Sequence, residues 1–295
     1  MRTGFVSIIG RPNVGKSTLL NAIIGEKIAI TSKTAQTTRN MIEGIYNDKD
    51  TQIVFIDTPG IHKPKSKLGV VLNKQAYYSM DDVDVILFLM DITENFGRGD
   101  QFILDRLKDS NIPVILVLTK IDKVTHPEIL SKINTYKDIF PFKEIVPISS
   151  IKQKNIEELI KTITKYLKEG EKYYDDNTIT NISKTFSISE LIREKVLELT
   201  REEVPHSVTC TVDDISEDKN NVSIMASIIV DRENLKKILI GKNAQMIKKI
   251  GIESRKDIEE LLDKKVYLDL RVKVISKWKD KDEFLNNIGY KDFTN

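Results

Sequence analysis

The sequence is poor in the residues that build disulfides, metal clusters and membrane spans. Its 295 residues include one cysteine, Cys210, so no disulfide framework can form within the chain, and a small buried residue in a strand is expected. His62, His126 and His206 are scattered without metal-ligand spacing. No apolar run approaches the roughly 20 residues that span a bilayer, and the opening residues do not resemble a secretory signal. We therefore expect a cytoplasmic protein without a transmembrane segment.

A large excess of charge of one sign is also absent. The chain has 46 basic and 44 acidic residues, for a formal net charge of +2. Global charge therefore gives no indication of nucleic-acid binding, and any basic site must be local. Hydrophobic residues make up 40% of the chain, which is enough for ordinary globular cores. At roughly 150 residues per domain, the length suggests about two domains.

Apolar runs alternate with helical patterns in the first part of the chain. The runs predict strands at 5–9, 41–46, 52–56, 84–90, 113–118 and 144–148, with helices near 17–24, 68–80, 99–109, 127–138 and 155–168. This alternation is typical of a largely parallel sheet that is covered on both faces. Only a short polar turn separates 41–46 from 52–56, so these two runs predict an antiparallel hairpin at the sheet edge.

The composition then changes, which indicates a domain boundary. Residues 171–185 are polar and unpatterned, and we interpret them as a linker between a first domain at 1–170 and a second at 186–295 with a C-terminal tail. The second domain is predicted to contain a helix, two strands, two helices and a strand, at 187–201, 207–213, 221–230, 232–239, 244–262 and 265–274. This order describes a separate and smaller α+β domain.

The strongest chemical motif is GRPNVGKS at residues 10–17, which fits the phosphate-binding pattern GxxxxGK[ST]. It lies between a predicted strand and a predicted helix, a setting that argues against an accidental glycine-rich turn. The two glycines allow a tight turn whose N–H groups face phosphates, and the helix N-terminus adds positive potential. Lys16 can reach the β- and γ-phosphates, and the Ser17 hydroxyl can bind Mg²⁺. The predicted nucleotide contacts of this loop are Gly10, Arg11, Pro12, Asn13, Val14, Gly15, Lys16, Ser17 and Thr18.

A second motif, Asp57-Thr58-Pro59-Gly60, follows the strand predicted at 52–56. Alone it is only a turn signal, and its position relative to the first motif gives it weight. Asp57 is predicted to hold Mg²⁺, and the Gly60 N–H to meet the γ-phosphate, whose loss would release this segment. The next predicted contact is Ile61, whose side chain is apolar.

Two further segments follow strands and are predicted to recognise a guanine base. Asp122 can accept hydrogen bonds from the guanine N1–H and amino group, a donor pair that adenine lacks. Lys120 would lie along the base plane, and the backbone of 149–151 can support the guanine O6. A lone TKID is more often a polar strand end, but its place in this order favours base recognition. The residues concerned are Thr119, Lys120, Ile121, Asp122, Ser149, Ser150 and Ile151.

A local basic patch lies in the second domain. Residues 232–256 contain eight basic residues against Glu233 and Glu253, a net of 8 − 2 = +6. The patch surrounds Gly241 and fits a loop that clamps the backbone of single-stranded RNA. A solvated helix face is the ordinary alternative. The predicted RNA contacts are Ile240, Gly241, Lys242, Asn243, Ala244, Lys248 and Lys249.

In combination, GRPNVGKST, Thr37-Thr38-Arg39, DTPG, TKID and the SSI segment resemble the translation-factor-like bacterial GTPases. The second domain is similar to that of the Era GTPase family in the segments SELIREK, IGKNA and GIESRKD and in a tail from Lys277-Trp278 to Gly289-Tyr290. This resemblance covers nearly the whole chain. It implies a P-loop GTPase domain with a mostly parallel, doubly wound α/β sheet, followed by a smaller α+β type II KH domain.

The resemblance also implies roles and partners. Thr38 matches the switch threonine that binds Mg²⁺, so the metal set would be Ser17, Thr38 and Asp57, and the catalytic set Lys16, Thr38 and Gly60. Asn13 matches an asparagine that supports K⁺ beside the phosphates. The cofactors would be GTP or GDP with Mg²⁺. The partners would be the 3′ end of 16S ribosomal RNA and the 30S subunit, with a role in small-subunit assembly, peripheral contact with the inner face of the cell membrane and a monomeric state.

Three positions depart from the family pattern. Ile61 is apolar where Ras-like GTPases carry a water-orienting glutamine, so unaided hydrolysis should be slow. Thr119 stands where asparagine is usual, which predicts retained guanine preference with weaker affinity. Ala244 replaces the second glycine of the GxxG clamp, where a methyl group costs little if the local dihedrals are helical but can crowd a closely approaching backbone. Two other functions stay open, namely an RNA-binding module with little turnover and a GTPase that acts mainly at the membrane surface.

Overall fold

The computed structural model describes residues 1–32, 34, 37–61 and 63–290, so His62 lies outside the described residues. The first part of the chain forms one sheet, with β2, β3, β1, β4, β5 and β6 side by side and β7 paired to the start of β1. Its strands are β1 (Arg2–Gly10), β2 (Ile42–Asp48), β3 (Thr51–Asp57), β4 (Val85–Asp91), β5 (Val114–Thr119), β6 (Glu144–Pro147) and β7 (Lys168–Glu169).

The order and direction of the strands follow from the sequence pattern. β1 is parallel to β3 and β4, and β4, β5 and β6 continue the parallel arrangement. β4 and β5 are apolar almost throughout because both of their faces are buried. β2 pairs antiparallel to β3 at the sheet edge, which confirms the predicted hairpin.

Helices cover both faces of this sheet and create two apolar cores. One core contains Leu19, Phe55 and Leu87, and the other contains Phe88 and Leu116. The helices are α1 (Lys16–Ile24), α2 (Lys67–Tyr78), α3 (Arg98–Leu107), α4 (His126–Tyr136) and α5 (Ile156–Thr164). The helix predicted at 155–168 was too long, because the chain leaves α5 after Thr164 and pairs as β7 with Arg2 and Thr3.

The segment interpreted as a linker is attached to the first sheet. The Gln52 side chain accepts the N–H groups of Tyr173 (2.7 Å) and Tyr174 (3.0 Å), and Ile45 donates its N–H to Ile179 (2.9 Å). These contacts satisfy backbone groups that a free linker would leave to water. The helix that follows begins at Lys184, slightly before the predicted start of the second domain.

The second part of the chain forms a three-stranded sheet in the order β10, β9, β8, with β9 parallel to β10 and antiparallel to β8. Its core contains Ile192, Ile228 and Ile250, and Cys210 is buried there as predicted. Its elements are α6 (Lys184–Leu199), α7 (Val204–Ser207), β8 (Val208–Glu217), β9 (Asn221–Val230), α8 (Glu233–Ile240), α9 (Gln245–Leu262), β10 (Lys265–Val274) and α10 (Asp282–Asn287).

The burial pattern of β9 reveals where the first domain packs. Residues 221–226 alternate between exposed and buried, whereas residues 227–230 are all buried. The outward-facing Ile229 at that end packs with Leu68 and Leu72 of α2 and with Trp278. The Trp278 ring is fully buried and its Nε1 donates to the Ser207 carbonyl at 3.0 Å, so the predicted tail element packs between the two domains.

Among the residues that the structure describes, no helix is both long enough and apolar enough to cross a bilayer.

Candidate nucleotide site and nucleic-acid interface

The turn from β1 to α1 has the backbone of a phosphate-binding loop. Gly15 has φ +99°, a left-handed conformation that favours glycine, and it caps the helix that starts at Lys16. The Lys16 side chain is buried, and its Nζ donates to the carbonyls of Gly10 (3.4 Å) and Arg11 (3.2 Å). The Lys16 ammonium group therefore lies against the main chain of the phosphate-binding loop.

Two other side chains of this loop point elsewhere. Arg11 forms ion pairs with Glu94 (3.0 Å) and Asp100 (3.3 Å), next to α3. Val14 is buried in the core of the sheet. Arg11 and Val14 can therefore meet a nucleotide in this arrangement only through their main chain.

Three oxygen-bearing side chains meet beside Lys16. The Ser17 hydroxyl lies 2.6 Å from Asp57 Oδ2 and 2.6 Å from the Thr38 hydroxyl, which lies 3.3 Å from the same carboxylate oxygen. All three residues are buried. The second carboxylate oxygen, Asp57 Oδ1, is buried without a hydrogen-bond partner. Hard oxygen ligands with one unsatisfied carboxylate oxygen fit a Mg²⁺ ion.

Burial changes the protonation of this cluster in opposite directions for its two charged members. It lowers the pKa of Lys16 from 10.5 to about 8, and the opposing attraction of Asp57 does not cancel the effect. Burial also raises the pKa of Asp57, against the effects of Lys16 and the neighbouring hydroxyls. In both residues burial favours the uncharged form, and the attraction between the two opposite charges partly offsets this effect.

The low pKa of Lys16 predicts pH-dependent nucleotide affinity. Above about pH 8 the free protein holds a neutral Lys16, which must take up a proton when a polyphosphate binds and favours the charged form. We expect the affinity for GDP to fall up to about tenfold per pH unit above that pKa. Calorimetric titrations at pH 8.5 in buffers of different ionisation enthalpy should show proton uptake, and equal heats in all buffers would contradict the prediction.

The DTPG segment packs directly against the phosphate loop. The Thr58 hydroxyl donates to the Ile8 carbonyl at 2.9 Å, which ties the segment to β1. A Cβ added at Gly60 would lie 2.9 Å from the Pro12 backbone, so only glycine allows this approach. The Ile61 side chain is 3% exposed and packs in the core with Phe88, which leaves only its main chain for a nucleotide.

The predicted base-binding segments meet at the ends of β5 and β6. Asp122 accepts a hydrogen bond from the Ser149 hydroxyl at 2.5 Å, while the residue itself is exposed. The Ser149 N–H donates to the Lys154 carbonyl at 3.1 Å, so support for a base oxygen falls to the following amides, those of Ser150 and Ile151. The Asp122 carboxylate can therefore accept further hydrogen bonds from donors on a base.

Lys120 and Thr119 connect this end of the site to the phosphate loop. Lys120 Nζ donates to the Asn13 carbonyl (2.8 Å) and to Asp91 (2.5 Å). The Thr119 hydroxyl donates to the carbonyls of Val14 (2.7 Å) and Met90 (3.2 Å). Thr119 therefore provides the hydrogen bond that joins the loop to β5, despite its short side chain.

The candidate RNA loop joins α8 to α9 through a short 3₁₀ turn at Lys242–Ala244. Ala244 has φ 58° and ψ 23°, a left-handed conformation, so the helical dihedrals that would make an alanine harmless here are not present. A left-handed alanine costs about 1–2 kcal/mol. Ile240 is only half-buried, whereas Ile250 packs in the core.

Only part of the basic patch is available to a polyanion. Arg232, Arg255 and Lys256 pair with acidic neighbours. The remaining lysines form no ion pair with another described residue, and all but Lys236 are exposed; they are Lys236, Lys237, Lys242, Lys248 and Lys249. The uncompensated charge therefore surrounds the loop itself.

Sequence reasoning assigned no role to several charged residues that lie in or next to the nucleotide site. Asp91 ends β4 and holds Lys120, and the hydrogen bonds from Lys120 and Thr93 lower its pKa although burial opposes this. Glu190 and Arg193 form a buried ion pair at 2.6 Å on α6, where Glu194 is buried as well. Opposite charges three residues apart on one helix were the signal that could have revealed this pair.

Comparison with known proteins places both halves of the chain. A family model described as 50S ribosome-binding GTPase matches residues 5–120, and a KH domain model matches residues 203–279. GTPase Era from Clostridium kluyveri is 50% identical over 294 residues, which cover 99% of this chain and 100% of that relative. The chain belongs to the Era GTPase family.

Solved structures agree with this assignment over both domains of the Era-family chain. A variant of Aquifex aeolicus Era bound to GDP and aluminium fluoride is 43% identical, with a TM-score of 0.95 and coverage of 98% of this chain and 99% of that chain. A complex of Era with MgGDPNP and nucleotides 1506–1542 of 16S ribosomal RNA has a TM-score of 0.96 at the same identity and coverage. The expected fold and GTPase activity are therefore confirmed, and the two domains are arranged as in these nucleotide-loaded relatives.

Proposed function

We propose that this Era-family GTPase binds GTP with Mg²⁺ in its first domain and the 3′ end of 16S ribosomal RNA in its KH domain, and that it acts in assembly of the 30S subunit. The observation that carries the proposal is the similarity over 98% of the chain to an Era complex that holds MgGDPNP and that RNA segment. Both candidate sites lie on this one chain, and each has the chemistry its ligand requires.

The nucleotide site is proposed to divide its tasks among its segments. Lys16 and the amides of residues 10–18 would hold the phosphates, while Asp122, Lys120 and the amides of 149–151 would hold the guanine. Ser17, Thr38 and Asp57 would hold Mg²⁺, and the unsatisfied Asp57 Oδ1 supports this choice. When bound, the ion would neutralise charge on the phosphate oxygens.

Hydrolysis is proposed to proceed by attack of water on the γ-phosphorus. The new P–O bond forms as the bond to the β–γ bridging oxygen breaks, which yields GDP and phosphate. Lys16 and the Gly60 N–H would stabilise charge that develops on the transferred group. The buried Ile61 cannot orient the water, so we expect slow turnover without K⁺ near Asn13 or an activating partner.

The RNA is proposed to lie against the loop at 240–244. Lys242, Lys248 and Lys249 are exposed and form no ion pair with other described residues, so they can neutralise phosphates. We also propose a GTPase domain at 1–170, a linker at 171–185 and a KH domain with its tail at 186–295. The protein is proposed to be a monomer that is cytoplasmic and makes peripheral contact with the cell membrane.

Crosslinking in cells, with sequencing of the attached RNA, tests this function. We expect enrichment of the 3′ end of 16S ribosomal RNA with the wild-type chain, and at least about tenfold less with Lys16→Ala if GTP gates binding. An RNA profile without enrichment would overturn the ribosomal assignment.

Measurements on the purified protein separate the two alternatives. Absence of phosphate release with K⁺ and RNA present would favour an RNA-binding module without turnover. Equal binding to anionic lipid vesicles and to the RNA segment would favour a membrane-surface function.

A further inference from the structure

Helix α6 of the KH domain contacts the backbone beside the proposed metal ligand Thr38. Arg193 is fully buried, and one of its terminal nitrogens donates to the main-chain carbonyl of Thr37. The same guanidinium forms two hydrogen bonds with Glu190, at 2.7 and 2.6 Å. Because both carboxylate oxygens of Glu190 accept hydrogen bonds from the guanidinium, Arg193 cannot move away from Thr37 without breaking a buried ion pair.

The residue after Thr38 is held by the same domain. Arg39 is 1% exposed, and its guanidinium donates to the carbonyl of Val208 at 2.6 Å and of Pro205 at 3.4 Å. It also lies over the Trp278 ring, 5.8 Å from the ring centroid. A side chain of the GTPase domain is thus inserted between elements of the KH domain.

A third contact lies further toward the N-terminus. Glu194, next to Arg193 on α6, accepts the Thr31 N–H at 2.9 Å and pairs with Lys27 at 2.5 Å. Consecutive residues of one helix therefore contact two points of the segment that leads to Thr38. The Thr38 hydroxyl itself belongs to the cluster with Ser17 and Asp57 described above.

We propose that Arg193 is a positioning residue for GTP hydrolysis. From its place on α6 of the KH domain, it fixes the position of the Thr38 hydroxyl. The carbonyl before Thr38 and the side chain after it are both anchored outside the GTPase domain, so the Thr38 backbone has little freedom while α6 is in place. The inference rests on the proposed role of Thr38 as a Mg²⁺ ligand. It makes the KH domain part of the machinery that distinguishes GTP from GDP, because GDP has no γ-phosphate for Thr38 to sense.

A neutral double variant tests this without leaving a buried charge alone. Glu190→Gln with Arg193→Gln removes both charges of the pair, and glutamine is too short to reach the Thr37 carbonyl from α6. We expect GDP affinity within about threefold of wild type, and a kcat for GTP at least about tenfold lower. We also expect that at least about tenfold more Mg²⁺ is needed to slow the release of a fluorescent GDPNP. This measurement does not depend on turnover.

Two controls separate positioning from a general loss of the domain interface. Asp282→Asn removes an ion pair with Lys67 that also joins the two domains, and Arg201→Gln removes an exposed charge just after α6. Both should retain wild-type turnover and Mg²⁺ dependence. Thermal unfolding of all variants checks that the KH domain is folded.

The outcomes decide between the inference and the proposed function. If the double variant is folded but keeps wild-type kcat and Mg²⁺ dependence, or if it weakens GDP and GTP equally, Arg193 does not position Thr38. If Thr38→Val also leaves turnover and Mg²⁺ dependence unchanged, the proposed role of Thr38 itself is wrong. Impairment by Thr38→Val together with a silent double variant would overturn only the positioning role.

Discussion

Replacing Asp122 with asparagine should weaken GTP and GDP binding by about 10³–10⁵-fold and create affinity for xanthosine nucleotides. The carboxylate at this position can accept from both the N1–H and the amino group of guanine. An asparagine can accept from N1–H but presents its own N–H to the amino group, so two donors oppose each other. Xanthine carries a carbonyl in place of that amino group and restores the pair.

Binding of fluorescent GDP and of xanthosine diphosphate to the purified variant measures both effects. Gain of xanthosine binding is an internal control, because an unfolded protein would bind neither nucleotide. Adenine nucleotides should bind neither protein. Unchanged GDP affinity in Asp122→Asn would mean that this carboxylate, which accepts from Ser149, is a structural group and that another residue selects the base.

Gly60→Ala should lower kcat for GTP by about 10²-fold, the effect of losing one transition-state hydrogen-bond donor. The added Cβ would approach the Pro12 backbone to 2.9 Å, closer than real Cβ contacts, so the DTPG segment must move away from the phosphate loop. The Gly60 N–H then no longer reaches the γ-phosphate. GDP affinity should change less, because the proposed contact is made only to the third phosphate.

Gly251→Ala is the matched control for this variant. Gly251 lies within α9, where an added Cβ would meet Leu270 at an ordinary 3.5 Å. A helical alanine is favoured over glycine, so this change should leave turnover unchanged and slightly stabilise the KH domain. Equal phosphate release by wild type and Gly60→Ala under single-turnover conditions would show that Gly60 does not contact the transferred group.

The main features of both domains were predictable because local patterns specify them. Apolar runs such as 113–118 are typical of strands with both faces covered, and the short polar turn after 41–46 favours a hairpin. The phosphate loop follows from the glycines and lysine at fixed spacing, since the chemistry needs backbone amides at one turn. The segment at 171–182 was harder to interpret, because mainly its main chain, and not a periodic set of side chains, bonds to the edge of the first sheet.

Contacts between distant residues could not be read from spacing. Nothing near Ser17 in the sequence shows that Asp57 and Thr38 lie within hydrogen-bonding distance of it, although the motifs indicated a shared function. The left-handed backbone of Ala244 is likewise a property of the turn between two packed helices, since alanine alone favours the helical region.

By itself, the sequence determined the type of the longer elements, the identity of the phosphate and base motifs, and the family resemblance. Each of these depends on residues that are close along the chain or that stand in a fixed order. Only the tertiary structure decided that Arg39 is buried against Trp278 and that Arg193 donates to Thr37. Those contacts join residues that are far apart along the chain, and the packing of two domains with distinct cores, rather than any local preference, brings them together.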